Sequence, residues 1–306
     1  MHGLLRAQNL TTHDRNVAER ALTITPSGAA LGATVEGLDL REELAPGFVA
    51  ALRAALVEHK VLFFHDQDIS HEDHIRFGRY FGVLEGHPVT QHVEGHPEIL
   101  SIRNGEYAFL NETTIPFIRA VNKWHADVTF RPAPSLAGLL RARIIPPRGG
   151  DTLFADMGAV YADLPADLRA RLDGLTATHD ILKSYGWKLS PEERETLSRK
   201  HPPRSHPVVR VHPESGERSI FVNSAFTTHI DGLSPSESEE TLAFIYDRIR
   251  GIPEYQVRFK WSPNAIVFWD NRSTQHYPIA DYWPHERVVE RVTIVGDVPV
   301  GPQDDE

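Results

Sequence analysis

Apolar residues recur along the chain with two different spacings, and each spacing predicts a different kind of element. Over residues 46–60, the apolar side chains at positions 48, 49, 52, 55 and 56 share one face of a helix. Over 70–82, a serine followed three residues later by an aspartate opens the run and a glycine closes it, which is typical of a short capped helix. Further helices are predicted over 157–173 and 234–251.

The other apolar segments are short, contain many β-branched and aromatic residues, and are separated by Pro and Gly, as is typical of strands. They include residues 21–40 and the segments "VLFFHDQ", "SIFVNSAF", "YQVRFKW" and "AIVFWDN". Many strands with a few peripheral helices predict a mainly β fold with an antiparallel double-sheet, or jelly-roll, core. No repeat or linker divides the chain, so residues 1–306 are predicted to form one domain with a core over about 22–300 and loose termini.

Charge narrows the choice of partners. The chain has 32 Lys and Arg against 42 Asp and Glu, a net charge of -10, and such a surface repels phosphate backbones and anionic lipid head groups. Nucleic acid and membrane are therefore not expected as partners. No apolar run reaches signal-peptide or membrane-spanning length, which predicts a soluble, cytoplasmic protein.

The absence of cysteine changes the search for chemistry. It excludes disulfides, thiolate metal sites, Fe–S clusters and cysteine nucleophiles, so a metal would have to be held by His, Asp, Glu or backbone oxygen. In "WHADVTF", a run that looks like a half-buried strand, His125 and Asp127 are two residues apart and would share a face. His276, after "WDNR", is a candidate third ligand. Two histidines and one carboxylate form the facial triad of non-heme Fe(II) oxygenases, although His-x-Asp alone also occurs on wet strand faces.

Two arginines follow in the same segment. Arg287 and Arg291 are four residues apart on a predicted strand, so they share a face with Val289. Two inward guanidiniums are costly unless each meets an anion, and their planar forks suit carboxylate or sulfonate oxygens. The alternative is that Arg287 pairs with an acid such as Glu290 or Asp297 at the rim.

These residues belong to a set of motifs: "WHADVTF", "GGDTLF", "HPVVRVHPESGER", "FVNSAFTT" and "WDNRSTQHY". With them the chain resembles the Fe(II)/2-oxoglutarate-dependent dioxygenases of the taurine dioxygenase and TfdA type, over residues 22–300. The resemblance implies a double-stranded β-helix core, with Fe(II), 2-oxoglutarate and O2 as cofactor and cosubstrates. It implies that three residues ligate iron and carry catalysis, namely His125, Asp127 and His276. It also implies that Thr152 and Arg287 hold the distal carboxylate of 2-oxoglutarate and that Arg291 faces the substrate.

The resemblance extends to the substrate. A small anionic molecule, a taurine-like sulfonate or an alkyl sulfate, would be hydroxylated to release an aldehyde with sulfite or sulfate, alongside succinate and CO2. His87 would help Arg291 to bind the anion, and the pocket wall is expected to contain Val128, Phe130, Tyr185 and Phe226. Thr90 replaces a tyrosine of the taurine enzymes, and an enlarged lid is predicted over 104–123. Because of these departures, a carboxylate such as an aryloxyalkanoate or an amino acid remains an alternative substrate.

Two other classes of protein remain open. A metal-binding jelly roll that performs hydrolysis or isomerisation with zinc or manganese would not need Thr152 and Arg287. A noncatalytic binding protein on the same fold would bind neither iron nor 2-oxoglutarate. The sequence does not determine the oligomeric state, and the resemblance is compatible with a homodimer or a homotetramer.

Overall fold

The computed structural model describes residues 22–28, 30–86, 92–103 and 122–302. In chain order, the strands of the described residues are β1 Thr23–Pro26, β2 Ala33–Glu36, β3 Val61–Phe64, β4 Leu84–Glu85, β5 His92–Val93, β6 His96–Arg103, β7 Ser135–Ile144, β8 Thr152–Asp156, β9 Thr176–His179, β10 Arg204–Pro207, β11 Val209–Val211, β12 Arg218–Ile220, β13 Thr227–Ile230, β14 Gln256–Phe259, β15 Ile266–Asp270, β16 Thr274–Pro278 and β17 Val288–Val295. The helices are α1 Pro46–His59, α2 His71–Arg79, α3 Met157–Ala162, α4 Ala166–Leu172, α5 Leu182–Tyr185, α6 Pro191–Lys200 and α7 Pro235–Gly251, with 3₁₀ turns at Gly186–Lys188 and Pro253–Tyr255.

Two sheets enclose the part of the core that supports the site. The larger has the order β1-β2-β3-β15-β7-β17-β6-β5, with β4 also on β17, and the smaller has the order β14-β8-β16. Apolar residues of both sheets form one buried cluster, which includes Trp269 of β15, Phe154 of β8 and Val289 of β17. Consecutive strands β15 and β16 belong to different sheets, so the segment that joins them lies where the chain crosses from one layer to the other. The predicted mainly β fold with a jelly-roll core and peripheral helices is confirmed.

Three predicted helices are confirmed, and the start signal predicted for the helix over 70–82 is present. Helix α1 packs Leu52 and Leu56 into the core. Helix α2 begins after a capping box in which the Ser70 side chain accepts from the Asp73 backbone N–H. Helix α7 begins in the same way after Ser234. Such reciprocal hydrogen bonds satisfy N–H groups that the first turn of a helix leaves without partners.

The predicted single helix over 157–173 is wrong, because the structure divides it into α3 and α4. Pro165 precedes α4, and proline disfavours the helical conformation in the residue before it and has no N–H to donate. Helices α5 and α6 were missed, although Ser190, Pro191 and Glu193 form a capping box of the recognisable kind. The predicted strand "SIFVNSAF" is strand only at its start, in β12.

Among the described residues, no helix combines the length and the apolar character needed to cross a membrane.

Candidate metal centre

The segment that holds His125 and Asp127 is not a strand, which corrects the prediction. His125 forms an isolated bridge with His276, its N–H bonded to the His276 carbonyl at 3.1 Å and its carbonyl bonded to the His276 N–H at 2.8 Å. Residues 127–130 then form a turn, in which Val128 has a φ of 49°. Strand alternation is therefore not what places the two side chains together, because the chain turns immediately after the bridge.

His125, Asp127 and His276 nevertheless converge. One ligand atom from each lies within 4.8 Å of the others, and His125 Nε2 lies 3.9 Å from Asp127 Oδ1. Strand β16 carries His276 and is paired with β8 opposite Phe154. The predicted grouping of these three residues is confirmed, and two imidazoles with one carboxylate are a donor set that suits Fe(II).

The protonation of both imidazoles suits a metal. His125 Nδ1 lies 2.8 Å from the carbonyl oxygen of Lys123, so it donates there and leaves the Nε2 lone pair free. Burial lowers the pKa of His125, and it lowers the pKa of His276 to about 3. Both rings are therefore neutral near pH 7. His276 Nδ1 is buried and has no partner among the described residues.

Asp127 is ionised and is bonded to Arg291. Burial raises the pKa of Asp127, but the charge of Arg291 and its hydrogen bond to the carboxylate lower the pKa well below its usual range. Arg291 Nη1 donates to Asp127 Oδ1 at 2.6 Å, and both side chains are buried. Arg291 Nε has no partner within the described residues. The arginine predicted to face the substrate thus lies beside the triad.

Arg287 and Thr152 meet around Trp261. The Trp261 indole N–H donates to Thr152 Oγ1 at 3.0 Å, and the Arg287 guanidinium lies 5.6 Å from the centre of the same ring system. Arg287 Nε donates to the Gly150 carbonyl at 3.1 Å, and its burial lowers its pKa.

The rim alternative for Arg287 is wrong. Glu290 is paired with Arg141 at 2.7 Å, and Asp297 is paired with Arg210 at 2.7 Å. In the part of the chain that the structure describes, Arg287 forms no ion pair.

The four predicted wall residues belong to one apolar cluster. Val128, Phe130 and Phe226 are buried together, and Tyr185 packs against them from α5. The Phe226 ring centre lies 6.5 Å from that of His125, which places the cluster next to the triad. His87, Thr90 and all but the last two residues of the predicted lid lie outside the described residues.

Comparison with known proteins agrees with this geometry. The sequence model of the taurine catabolism dioxygenase TauD, TfdA family matches residues 23–293. The chain belongs to this family. It is a non-heme Fe(II)- and 2-oxoglutarate-dependent dioxygenase, so the predicted enzyme class, metal and cosubstrates are confirmed.

Two relatives of this chain have names that refer to sulfate esters or alkyl sulfates. An alpha-ketoglutarate-dependent sulfate ester dioxygenase from Pseudomonas putida is 34% identical over 289 residues, 92% of this chain and 91% of the relative. An alkylsulfatase from Acinetobacter baylyi is 34% identical over 301 residues, 95% of this chain and 90% of the relative. A crystal structure of a taurine dioxygenase from Burkholderia xenovorans superposes with a TM-score of 0.78 at 39% identity and covers 92% of each chain.

Within this TauD/TfdA site, sequence reasoning missed two residues. Trp261 joins Thr152 to Arg287 from the loop after β14. Asn271, within the motif "WDNR", hydrogen-bonds the backbone of Asp127. Neither had a local signal, because the hydrogen-bond partners of both, Thr152 and Asp127, are more than a hundred positions away along the chain.

Proposed function

We propose that this dioxygenase binds Fe(II) through His125, Asp127 and His276 and hydroxylates a sulfate ester or sulfonate with an apolar tail. The observation that carries the proposal is the convergence of the three ligand atoms within 4.8 Å. The buried His276 Nδ1 supports it, because buried polar atoms normally have partners and this one has none among the described residues.

The distal carboxylate of 2-oxoglutarate is assigned to Thr152 and Arg287. Arg287 is buried beside Trp261 with no carboxylate partner in the described residues, and an uncompensated buried charge is strongly unfavourable. A bound carboxylate would accept from the guanidinium fork and from the Thr152 hydroxyl. The other end of the oxo acid would then chelate the metal at the positions that a three-ligand site leaves open.

Arg291 is assigned to the anionic head of the substrate, with His87 as its second donor. Arg291 Nε has no partner in the described part of the chain and lies within the same buried cluster as the triad. The apolar wall of Val128, Phe130, Tyr185 and Phe226 would contact the tail. The named substrates of the sulfate ester dioxygenase and the alkylsulfatase support a sulfate ester in particular.

The proposed reaction depends on where these residues would hold the cosubstrate and the substrate. When bound, Fe(II) and 2-oxoglutarate would activate O2 as the oxidant, with two electrons coming from decarboxylation of the oxo acid to succinate and CO2 and two from the substrate C–H bond. One oxygen atom enters succinate and the other enters the substrate C–H bond. On a carbon that bears a sulfate ester, the new hydroxyl loses its proton while the C–O bond to sulfate breaks, giving an aldehyde and sulfate. Arg291 would fix which carbon lies nearest the metal, and the apolar wall would exclude water.

Two measurements test the proposal. Under anaerobic conditions, Fe(II) and 2-oxoglutarate should together produce a visible charge-transfer absorption that neither gives alone. Succinate release should then be measured with alkyl sulfates, alkylsulfonates, taurine and aryloxyacetates, and should be fastest with an alkyl sulfate that yields aldehyde and sulfate in equal amounts. Absence of the absorption would refute the iron site. Turnover restricted to carboxylates would refute the substrate class alone.

The single domain, the homodimer or homotetramer and the cytoplasmic location remain predictions. Limited proteolysis, light scattering and cell fractionation would test them.

A further inference from the structure

The turn after His125 raises the question of what holds Asp127 in place. Val128 has a φ of 49°, in the left-handed region that a β-branched side chain rarely adopts. Such a conformation is strained for a β-branched residue and persists only when the surroundings impose it. The chain next to this turn is paired only by the isolated bridge between His125 and His276, so the hydrogen bonds of a strand do not impose the Val128 conformation.

Asn271 contacts both backbone polar groups of Asp127. Its Oδ1 accepts from the Asp127 N–H at 2.7 Å, and its Nδ2 donates to the Asp127 carbonyl at 3.1 Å. The same Nδ2 also lies 3.1 Å from the carbonyl oxygen and from the hydroxyl of Ser135. The Asn271 backbone N–H donates to the Leu136 carbonyl at 2.8 Å, so the amide is anchored to the larger sheet at its base.

We propose that Asn271 is a positioning residue for the metal, which holds the Asp127 carboxylate opposite His125 and His276 by fixing the Asp127 backbone. The side-chain amide takes the place of a neighbouring strand at the point where the chain leaves its bridge. Without the Asn271 amide, the Asp127 peptide could rotate. Arg291 donates to the Asp127 carboxylate at 2.6 Å and would then hold this carboxylate at a greater distance from the two histidines. This inference rests on the proposed role of Asp127 as an iron ligand.

The test compares metal binding by Asn271→Ala and the unaltered protein, with Co(II) as an oxygen-insensitive probe. Loss of a residue that supports a ligand typically weakens metal binding by about 10–100-fold, and the same fall is expected here. The visible Co(II) ligand-field spectrum should also change in shape. A role in folding alone would leave the spectrum of the bound metal unaltered.

Two controls separate positioning from general destabilisation. Ser238→Ala removes a comparable buried bond, from the Ile230 N–H to Ser238 Oγ at 2.8 Å, in α7, and should lower the melting temperature without weakening Co(II) binding. Ser135→Ala removes one contact of the Asn271 amide but none with Asp127, and should leave the Co(II) affinity within about twofold.

The outcomes are distinct. If the unaltered protein binds no Co(II), the proposed function fails. If it binds Co(II), and Asn271→Ala binds it equally well with the same spectrum, only the role of Asn271 is overturned. If Asn271→Ala does not fold, hydrogen exchange on the unaltered metal-free protein tests the proposal instead. The Asp127 amide should exchange as slowly as the amides of β15, and rapid exchange would overturn the proposal.

Discussion

Two buried clusters of charged and titratable residues each have a member on the segment from β15 to β16, and they differ in how completely their polar atoms are bonded. In the first, the Asp270 carboxylate accepts four hydrogen bonds, three from Arg272 and one from His212 Nε2. Arg272 also donates to Glu214 at 2.7 Å. Every charge in this cluster, which we call the Asp270 network, meets an opposite charge.

The second cluster, the triad with its two arginines, is incomplete. His276 Nδ1 and Arg291 Nε have no partners in the described residues, and the Asp127 carboxylate accepts one side-chain bond there, from Arg291. Since buried polar atoms are normally satisfied, the unbonded atoms of this cluster support the proposal that it binds further groups. The first cluster is thus bonded as part of the fold, whereas the second retains the bonding capacity that our proposed function assigns to ligands. Removing residues from each should therefore have different effects.

The largest expected effect is on turnover, from His276→Ala. Loss of one of three ligands should lower succinate release by about 1000-fold or more, which corresponds to about 4 kcal/mol in the activation barrier. Without metal, the variant and the unaltered protein should have the same melting temperature. Added Fe(II) should raise the melting temperature of the unaltered protein but not that of the variant. A variant that retains turnover would remove His276 from the metal site.

The next effect is on stability, from Asp270→Ala. It leaves His212 Nε2 without its partner and leaves Arg272 with Glu214 alone, so the free energy of unfolding should fall by about 3–5 kcal/mol in urea titrations. Asp127→Ala is the matched comparison and should cost less, because that carboxylate accepts one side-chain bond rather than four in the described residues. Equal losses would contradict the distinction between the two clusters.

A smaller effect is expected on cosubstrate affinity, from Arg287→Lys. Lysine keeps the charge but loses the planar fork, so 2-oxoglutarate should bind about tenfold more weakly, or about 1.4 kcal/mol. Anaerobic titration of the visible absorption measures this. Arg258→Lys, at a half-exposed arginine that pairs with Asp151, is the control and should leave the affinity unchanged. An unchanged affinity in Arg287→Lys would argue against its carboxylate role.

The smallest effect is expected from Trp261→Phe. The variant keeps an aromatic ring near Arg287 but loses the N–H that donates to Thr152, a bond worth about 1 kcal/mol. Binding of 2-oxoglutarate should weaken by a few fold with no loss of Fe(II) affinity. Trp187→Phe alters an exposed tryptophan and controls for general effects of the substitution. A parallel loss of Fe(II) affinity would show that Trp261 supports the metal instead.

Local features could be predicted from the amino-acid sequence. Capping boxes at Ser70 and Ser234 start helices wherever the chain presents them, because their hydrogen bonds span three residues. The chemical types of the triad and the spacing of Arg287 and Arg291 were also readable, since strand alternation follows from backbone geometry.

Contacts between segments that are distant along the chain could not be predicted in this way, because they depend on the tertiary fold. Residues 127–130 look like strand in the sequence and form a turn in the fold, where Asn271 bonds a backbone 144 positions away. The pairing of Arg291 with Asp127 and the meeting of Trp261 with Thr152 likewise span more than a hundred residues. Hydrogen bonds of this kind depend on which strands become neighbours, and no periodicity within a single segment encodes that choice.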